Sequence, residues 1–364
     1  MYIVIFFSLL ALLFTALESM CRVRGGMMLG FILVTLLGVI HYDYGNDYMA
    51  YYDIYKSIVN INFNLSDILS GETYKEPGWA LLCYFFKPLG GFFTMVAVLN
   101  IIQNIIVYKV IKSNVTQSWW PLAVFVYLFT TSFYLLNFSM MRQGLVICVF
   151  LGTWKYIKEK NIIHALIVLF ICTLIHKSAI VLLPFAFVGL FPIRKGYIIV
   201  LIYVVLYLLI WFGGEFMNHV LNLFLSFEDF EEYAVSYGKD KSNSTFRLGF
   251  VFNLIPLMLS LIYLLRTNIL DETCNKLAVA LSIVSFIVIP FSEVIPLVGR
   301  IGMYFSVYQI IAIPRIYSRI NNNFLRYSLL FIFCFMTLYS YWGFFHSNVY
   351  GKAYSTFHTI FSVV

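Results

Sequence analysis

The chain has 364 residues, of which 62% are hydrophobic and 11% charged, with a mean hydropathy of +0.88 and a formal net charge of +7. Soluble domains are about 45–50% apolar and about 25% charged, so a water-soluble globule is excluded and lipid is the solvent that fits. The basic residues are scattered through short loops without a basic helix or patch, so we expect no nucleic-acid partner.

The apolar runs predict an all-α polytopic membrane protein, with about twelve spans in one membrane domain over residues 1–364. At about 20 residues per span, the chain length allows this number. Continuous runs such as Ile198–Trp211 lack the alternation of β-barrel strands. The runs are interrupted at 21–26, 41–77, 112–118, 137–142, 155–161, 176–178, 192–196, 213–246, 266–275, 291–300 and 314–324.

The distribution of charge over these interruptions predicts the orientation. Alternate interruptions, beginning with 21–26 and counted with the three residues on either side, hold 14 of the 24 Lys and Arg residues but only 4 of the 17 Asp and Glu residues. Because cytoplasmic loops are rich in Lys and Arg, we assign this set to the cytoplasm and both termini to the outside. Two outside loops are long, 41–77 and 213–246. We expect them to cover a site, with a plain connection as the alternative for 213–246.

Two short apolar runs, 162–175 and 179–191, meet at His176-Lys177-Ser178 without a Gly or Pro turn. They are either two thin spans or a re-entrant hairpin, which membranes tolerate where the backbone is buried in protein. In both cases His176 lies toward the outer half of the membrane.

Three arginines lie at the predicted outer ends of spans, against the positive-inside trend: Arg142, Arg247 and Arg300. Snorkelling to lipid headgroups explains any one of them alone. Three together favour a convergent anion site, because guanidinium stays charged and binds phosphate through a bidentate fork. Such a site suits a lipid-linked diphosphate.

The His176-Lys177 pair forms a second candidate cluster. A histidine near membrane depth is costly enough to indicate function, and it can act as a general base or donate to phosphate. The alternative is a histidine that is hydrogen-bonded within the helix bundle.

Carboxylates in the loop 41–77 are candidates for sugar recognition and proton transfer. Asp43 and Asp47 flank Gly45-Asn46 among several tyrosines, and the alternative is an aromatic belt at the membrane interface with solvated acids. Glu76 precedes Pro77 at a predicted helix start, where capping is a sufficient explanation.

Taken in order, these segments resemble the EpsG family of bacterial polysaccharide polymerases, which is related in role to Wzy-type O-antigen polymerases. The resemblance covers roughly residues 1–315. One departure concerns the residues before Gly45-Asn46-Asp47. In such proteins an Arg often precedes this Gly-x-Asp segment, whereas this chain has His41 and Tyr42 there. The matching segments are Tyr44-Gly-Asn-Asp-Tyr48, Glu76-Pro-Gly-Trp79, Met141-Arg-Gln-Gly144, His176-Lys-Ser-Ala-Ile180 and Gly299-Arg-Ile-Gly-Met-Tyr-Phe305.

The resemblance implies a GT-C-like glycosyltransferase at the outer face of the bacterial inner membrane, acting in O-antigen and lipopolysaccharide synthesis. It would transfer a growing glycan from undecaprenyl diphosphate onto a lipid-linked repeat unit, beside a flippase and a chain-length regulator. No metal or other cofactor is needed if arginines supply the positive charge. The expected diphosphate ligands are Arg142, Arg247, Arg300 and Lys177, the expected proton acceptors His176, Asp47 and Glu76, and the expected sugar contacts Asp43 and Tyr48.

Two alternative functions remain open at this point. A glycan ligase or a single-addition glycosyltransferase would share the same outer site, and the sequence does not separate either from a polymerase. A lipid-linked oligosaccharide flippase or other transporter should show internal repeats and polar residues near the membrane midplane. No clear repeat is visible, and few ionisable residues lie mid-span.

Overall fold

The computed structural model describes residues 1–21, 23–190, 201, 205, 256–264, 273–292, 296–348 and 350–362. These residues form two compact units. The first comprises Met1–Phe191 and Tyr317–Val364, and the second comprises Pro192–Ile316. The expectation of a single membrane domain stays a prediction.

Within the described residues every element is helical except one pair of two-residue strands, which confirms the all-α class. The first unit contains α1 (Tyr2–Cys21), α2 (Gly26–Ile40), β1 (His41–Tyr42), α3 (Tyr48–Asn60), α4 (Leu65–Ser70), α5 (Pro77–Phe86), α6 (Gly91–Asn114), α7 (Trp120–Phe129), α8 (Leu136–Ser139), α9 (Met141–Lys158), α10 (Ile162–Ile175), a long 3₁₀ helix (Lys177–Leu190), α14 (Asn323–Phe345) and β2 (His358–Thr359). Short 3₁₀ turns cover Lys87–Leu89, Gln117–Trp119 and Ile360–Ser362.

The second unit contains helical residues 256–264, α11 (Thr273–Ser292), α12 (Pro296–Ser306) and most of α13 (Gln309–Ser318). Its described core consists of Tyr263 and aliphatic side chains from three of these helices, for example Leu261, Val279, Ile283 and Ala312.

Three of the described helices are long and apolar enough to cross a membrane: α1, α6 and α14. Shorter apolar helices cover Gly26–Ile40, Ile162–Ile175, Lys177–Leu190 and Lys276–Ser285. The number of about twelve spans therefore stays a prediction.

Helices α1 and α2 pack through small residues. A Cβ on Gly30 would lie 2.8 Å from the carbonyl oxygen of Ala11, so the two backbones approach closely. Such contacts replace the hydrophobic driving force that is missing between helices in lipid. The opposite side of α1 exposes Phe6, Leu9 and Leu13, which suits contact with hydrocarbon.

The apolar stretch between the interruptions 41–77 and 112–118 is broken into α5, the turn Lys87–Leu89 and α6. Gly90 and Gly91 adopt φ values of +108° and +76°, which residues with a Cβ rarely adopt. Hydropathy does not register this break, because the residues on both sides of it are apolar.

Helix α10 and the long 3₁₀ helix are separated by His176 alone. Gly189 of the 3₁₀ helix approaches the Ile157 carbonyl so closely that no Cβ would fit, so the helix returns to the end of α9 from which α10 starts. A 3₁₀ helix rises about 2.0 Å per residue, so its 14 residues reach about 28 Å. The 14 residues of α10 reach only about 21 Å, so two thin spans and a re-entrant hairpin both stay predictions.

The N-terminus, the start of loop 41–77 and the C-terminal segment lie on the same face of the first unit. Strand β1 pairs antiparallel with β2, with His41 opposite Thr359. The Gly45 N–H donates to the Ala353 carbonyl at 3.2 Å, and the amino group of Met1 donates to the Ser355 carbonyl at 3.1 Å.

Candidate active site

Glu76 lies at the centre of a charged cluster in the first unit. Pro77 is the first residue of α5, and the residue before a proline is held in extended conformation, as Glu76 is with φ −119° and ψ 94°. Its side chain makes no capping hydrogen bond to α5 and is only 7% exposed. The sequence alone allows helix capping as an explanation for Glu76. The structure shows that this explanation is wrong for the side chain, which makes no hydrogen bond to the helix.

Arg142, the second residue of α9, forms an ion pair with Glu76 through Nη1 and Oε2. Nη1 also donates to the Tyr74 hydroxyl at 2.6 Å, and Nε donates to the Tyr51 hydroxyl at 3.3 Å. The guanidinium carbon lies 5.1 and 5.5 Å from the centres of these two rings, within cation–π range. Among the described residues, all hydrogen bonds of Arg142 come from Nε and Nη1, so the two N–H groups of Nη2 point to no acceptor in this part of the chain.

His176 approaches the other oxygen of the same carboxylate. It caps the C-terminus of α10 in extended conformation, and its Nδ1 lies 2.7 Å from Glu76 Oε1. The backbone N–H of Lys177 donates to the same oxygen at 3.1 Å. Because an ionised carboxylate only accepts hydrogen bonds, Nδ1 carries the proton and Nε2 is the nitrogen that remains to accept one.

The surroundings keep Glu76 ionised. Burial alone would raise the pKa of Glu76, but the hydrogen bond from His176, the charge of Arg142 and the N–H of Lys177 outweigh it and lower that pKa. Burial raises the pKa of Tyr74 to about 12, although Arg142 acts in the opposite direction. At neutral pH the cluster therefore contains a carboxylate anion, a guanidinium cation and a protonated phenol.

The structure thus brings three of the predicted residues together, Glu76, Arg142 and His176, with Lys177 next to them. Asp47 precedes α3 one helical turn before Tyr51, is half-buried, and its backbone N–H donates to the Ser139 hydroxyl at 3.2 Å.

The other predicted sugar contacts differ in exposure. Asp43 is exposed, with a φ of +46°. Tyr48 is fully buried, and its hydroxyl donates to the His41 carbonyl at 3.4 Å. The expectation that Tyr48 stacks on a sugar does not fit this burial, because a ring enclosed by the core offers no face to a ligand.

Two further predicted anion ligands do not belong to the described part of the first unit. Arg300 is half-buried in α12 of the second unit. Arg247 and the loop 213–246 lie outside the described residues, so their predicted roles stay predictions.

A sequence model of the EpsG family matches residues 25–357, which is nearly the whole chain. The chain belongs to the EpsG family. Neither a curated protein nor a solved structure matches it. Membership of the EpsG family, together with the apolar helices, indicates a membrane protein that acts as a polysaccharide polymerase with glycosyltransferase-type chemistry.

Two residues of this EpsG-family site were missed at the sequence level. Tyr51 is one of the loop tyrosines for which an aromatic belt is a sufficient explanation, and no motif in the sequence singles out Tyr74. Only the adjacency of Tyr74 to Lys75-Glu76-Pro77 offered a signal, because the chain has 27 tyrosines and their composition does not distinguish these two.

His41 occupies the stretch in which such proteins often have an arginine, and the structure shows what it does there. The imidazole is fully buried, and its Nδ1 lies 2.7 Å from the Gly38 carbonyl oxygen. Burial lowers the pKa of His41 to about 4, although hydrogen bonds to the backbone of Gly38 and Phe138 act against this. A neutral buried imidazole cannot replace an arginine as a phosphate ligand.

Proposed function

We propose that this EpsG-family protein is a polysaccharide polymerase with a GT-C-like architecture. It transfers a growing glycan from undecaprenyl diphosphate onto a lipid-linked repeat unit at the outer face of the inner membrane. The observation that supports this most strongly is the shared carboxylate of Glu76, which joins Arg142 and His176 from two different helices. A cation suited to a departing diphosphate and a base suited to a hydroxyl are thereby held side by side.

In the proposed step, the acceptor hydroxyl oxygen forms a bond to the anomeric carbon of the donor glycan. The bond between that carbon and the diphosphate oxygen breaks, and the diphosphate leaves with the electron pair. Nη2 of Arg142 stabilises the charge on this leaving group through charge-assisted hydrogen bonds.

The proton of the acceptor hydroxyl passes to Nε2 of His176. The hydrogen bond from Nδ1 to Glu76 orients the ring and stabilises the imidazolium that forms, as carboxylates do for histidine bases in hydrolases. Glu76 is ionised and engaged by three donors, so we assign it the positioning role and His176 the role of base.

The other predicted residues complete the proposal. Lys177, Arg247 and Arg300 supply further positive charge for the diphosphate, so the scheme requires no metal. Asp43 contacts the sugar, and Asp47 stays the alternative proton acceptor, whereas Tyr48 is left out because it is buried. A flippase and a chain-length regulator remain the expected partners.

The test is deletion of the gene in the bacterium, followed by gel analysis of the surface glycan. A ladder that collapses to a single repeat unit supports polymerisation. Loss of the surface glycan with long lipid-linked chains accumulating indicates a ligase instead, and failure of repeat units to reach the outer face indicates a flippase.

Complementation tests the site. Arg142→Ala should fail to restore chain length, because the leaving diphosphate loses its cation. Arg326→Ala is the matched control, since Arg326 also stacks on aromatic rings, Trp119 and Tyr327, but belongs to a predicted cytoplasmic segment. Normal chain length with Arg142→Ala would show that the diphosphate site is wrong.

A further inference from the structure

An open apolar groove of about 800 Å³ lies in the first unit between α5, α10 and the end of α3. Its walls are partly accessible from outside the protein, since Phe85 is 61% and Ile171 49% exposed. The side chains that form most of the walls are Ile61, Leu81, Leu82, Phe85, Ile171 and Leu174.

One end of the groove adjoins the charged cluster. Gly78 and Ile175 both line the groove, and they lie two residues after Glu76 and directly before His176. A Cβ on Gly78 would lie 2.8 Å from the carbonyl carbon of Leu174, so α5 and α10 touch at this point. The apolar wall of the groove therefore begins directly beside the side chains of Glu76 and His176.

The groove is also continuous with an apolar stripe on the outside of α10. Ile163, Ile167, Phe170 and Ile171 are 71%, 54%, 56% and 49% exposed, at helical spacing. In a membrane protein such a stripe contacts lipid hydrocarbon, and Ile171 belongs to both the stripe and the groove. A chain in the bilayer can thus enter the groove sideways without crossing a polar surface.

We propose that this groove binds the isoprenoid units next to the diphosphate of a polyprenyl-diphosphate donor. The inference rests on the proposed function and specifies how its donor is held. A diphosphate at Nη2 of Arg142 must pass its hydrocarbon chain from a charged cluster into the bilayer, and the groove is an apolar path that starts at that cluster. Helix α5 is about 15 Å long, so the groove holds only the first units and the rest of the chain stays in lipid.

The far end of the groove is more polar, which defines the competing occupant. Asn60, Asn62 and Lys87 line this end, and Nζ of Lys87 donates to the Val59 carbonyl at 2.6 Å. A bilayer phospholipid with its headgroup at this end would also fill the groove. The experiment therefore has to distinguish a phospholipid from a polyprenyl diphosphate.

The probe is a sugar-free polyprenyl diphosphate with a diazirine on its second isoprene unit, added to the full-length protein in phospholipid nanodiscs. After irradiation, labelled residues are identified by mass spectrometry. We expect labelling on α5 and α10 along the groove. Unlabelled polyprenyl diphosphate should compete with the probe, whereas polyprenol of the same length should not.

A pair of matched variants tests the position. Ile171→Trp adds bulk inside the groove, whereas Ile167→Trp adds the same bulk one turn earlier on the stripe, outside the groove. Both positions are about half exposed, so neither change disturbs the core. Labelling by the probe should fall about tenfold in Ile171→Trp, as expected when an apolar subsite is filled, and should stay unchanged in Ile167→Trp.

Equal labelling of the two variants, or competition by polyprenol as strong as that by polyprenyl diphosphate, would overturn the groove assignment and leave it a contact with ordinary lipid. The gel analysis of surface glycan reports separately on the proposed function. A normal glycan ladder after gene deletion, with diphosphate-dependent labelling intact, would overturn the polymerase and keep the groove. A collapsed ladder without labelling of the groove would do the reverse.

Discussion

Glu76 accepts hydrogen bonds from three donors that belong to α9, to the end of α10 and to the start of the long 3₁₀ helix. A buried charge is tolerated only when its partners satisfy it, and removal of one partner leaves the others uncompensated. Glu76 therefore contributes to folding stability as well as to the positioning of His176, and separate measurements of stability and activity distinguish the two contributions.

Glu76→Gln is expected to destabilise the protein by about 3 kcal/mol at pH 7, because Arg142 loses its counter-charge. The pKa of Glu76 is lowered in the folded state, so its contribution is complete above its ordinary pKa of 4.5 and is lost as the pH falls through the folded value. Thermal unfolding in detergent should show a difference from wild type that shrinks below about pH 4.5.

The matched control is Glu72→Gln, since Glu72 is exposed in the same loop and should change stability little at any pH. A difference for Glu76→Gln that stays the same from pH 7 down to about pH 2 would contradict the ionised state of this carboxylate.

His176→Gly should lower kcat by about 10² to 10⁴, the range expected for a general base, with a much smaller effect on KM. Added imidazole should restore part of the rate, because it can occupy the space of the ring and accept the proton. Steady-state kinetics with a lipid-linked repeat unit measure both effects.

His164→Gly serves as the control, because His164 is exposed and its Nδ1 lies 2.8 Å from Asn161 Oδ1 at the other end of α10. The base assignment fails if His176→Gly keeps wild-type kcat, or if imidazole restores nothing although the variant is folded.

The sequence alone predicts some residues of the Glu76 cluster but not others. Arg142 is predicted because an arginine at the outer end of a span needs a reason, His176 because a histidine near membrane depth is costly, and Glu76 because it is a carboxylate of the outer loop. Their pairing was not predicted, since the carboxylate lies 66 residues from the arginine and 100 from the histidine. Tyr51 and Tyr74 were missed, because a tyrosine whose hydroxyl accepts from a guanidinium has the same sequence signature as one in an interface belt.

Two helices, α5 and α10, bring Glu76 and His176 together. Glu76 precedes the first residue of one, and His176 follows the last residue of the other. Their separation is set where Gly78 touches Leu174. The geometry of the cluster therefore depends on a helix contact that contains no charged group.

Gly78→Ala should lower glycosyl transfer, because the new Cβ pushes α5 away from α10 and separates Glu76 from His176. The collision involves backbone atoms of Leu174, which cannot rotate away as a side chain would. Activity of the variant, measured with its melting temperature, tests this expectation.

Gly343→Ala is the matched control, since Gly343 lies in α14 with open space around the position of a Cβ. There the substitution should be neutral or stabilise the helix by up to about 1 kcal/mol. Unchanged activity of Gly78→Ala would show that the contact does not set the geometry of the cluster.

The path of the chain through these elements was only partly predictable. Hydropathy identified apolar stretches correctly, but it reports burial and not backbone conformation. It therefore missed the turn at Gly90-Gly91, and it could not show that Lys177–Leu190 is a 3₁₀ helix, which has the same composition as an α-helix but covers the same distance with fewer residues.

At the scale of the whole molecule, the orientation in the membrane rests on the distribution of basic loops. The contacts between Met1 and Ser355 and between β1 and β2 place both ends of the chain on one face of the first unit. They agree with the prediction that the termini share a side, and they leave open which side it is.

Cysteine labelling tests that side. Cys21 is an exposed free thiol in the first predicted cytoplasmic segment. Because Cys274 lies in another predicted cytoplasmic segment, the experiment is done in a Cys274→Ser background. A membrane-impermeant maleimide should then label Cys21 in inverted vesicles but not in intact spheroplasts, and the signal should disappear when Cys21→Ser is added. Ser355→Cys should give the opposite result, because Ser355 is exposed on the face of the termini. Labelling of Cys21 from outside would reverse the topology.

The pairing of β1 with β2 has a consequence for biogenesis. His41 and Tyr42 leave the ribosome roughly 300 residues before their partners, Thr359 and His358, which at about 5–20 residues per second is a delay on the order of tens of seconds. Until then the N–H of Gly45 also lacks the carbonyl of Ala353 to which it donates. A nascent chain released early would therefore present an open strand edge at the start of the loop that carries Tyr51, Tyr74 and Glu76, and a membrane protease could distinguish it from a finished chain by that edge alone.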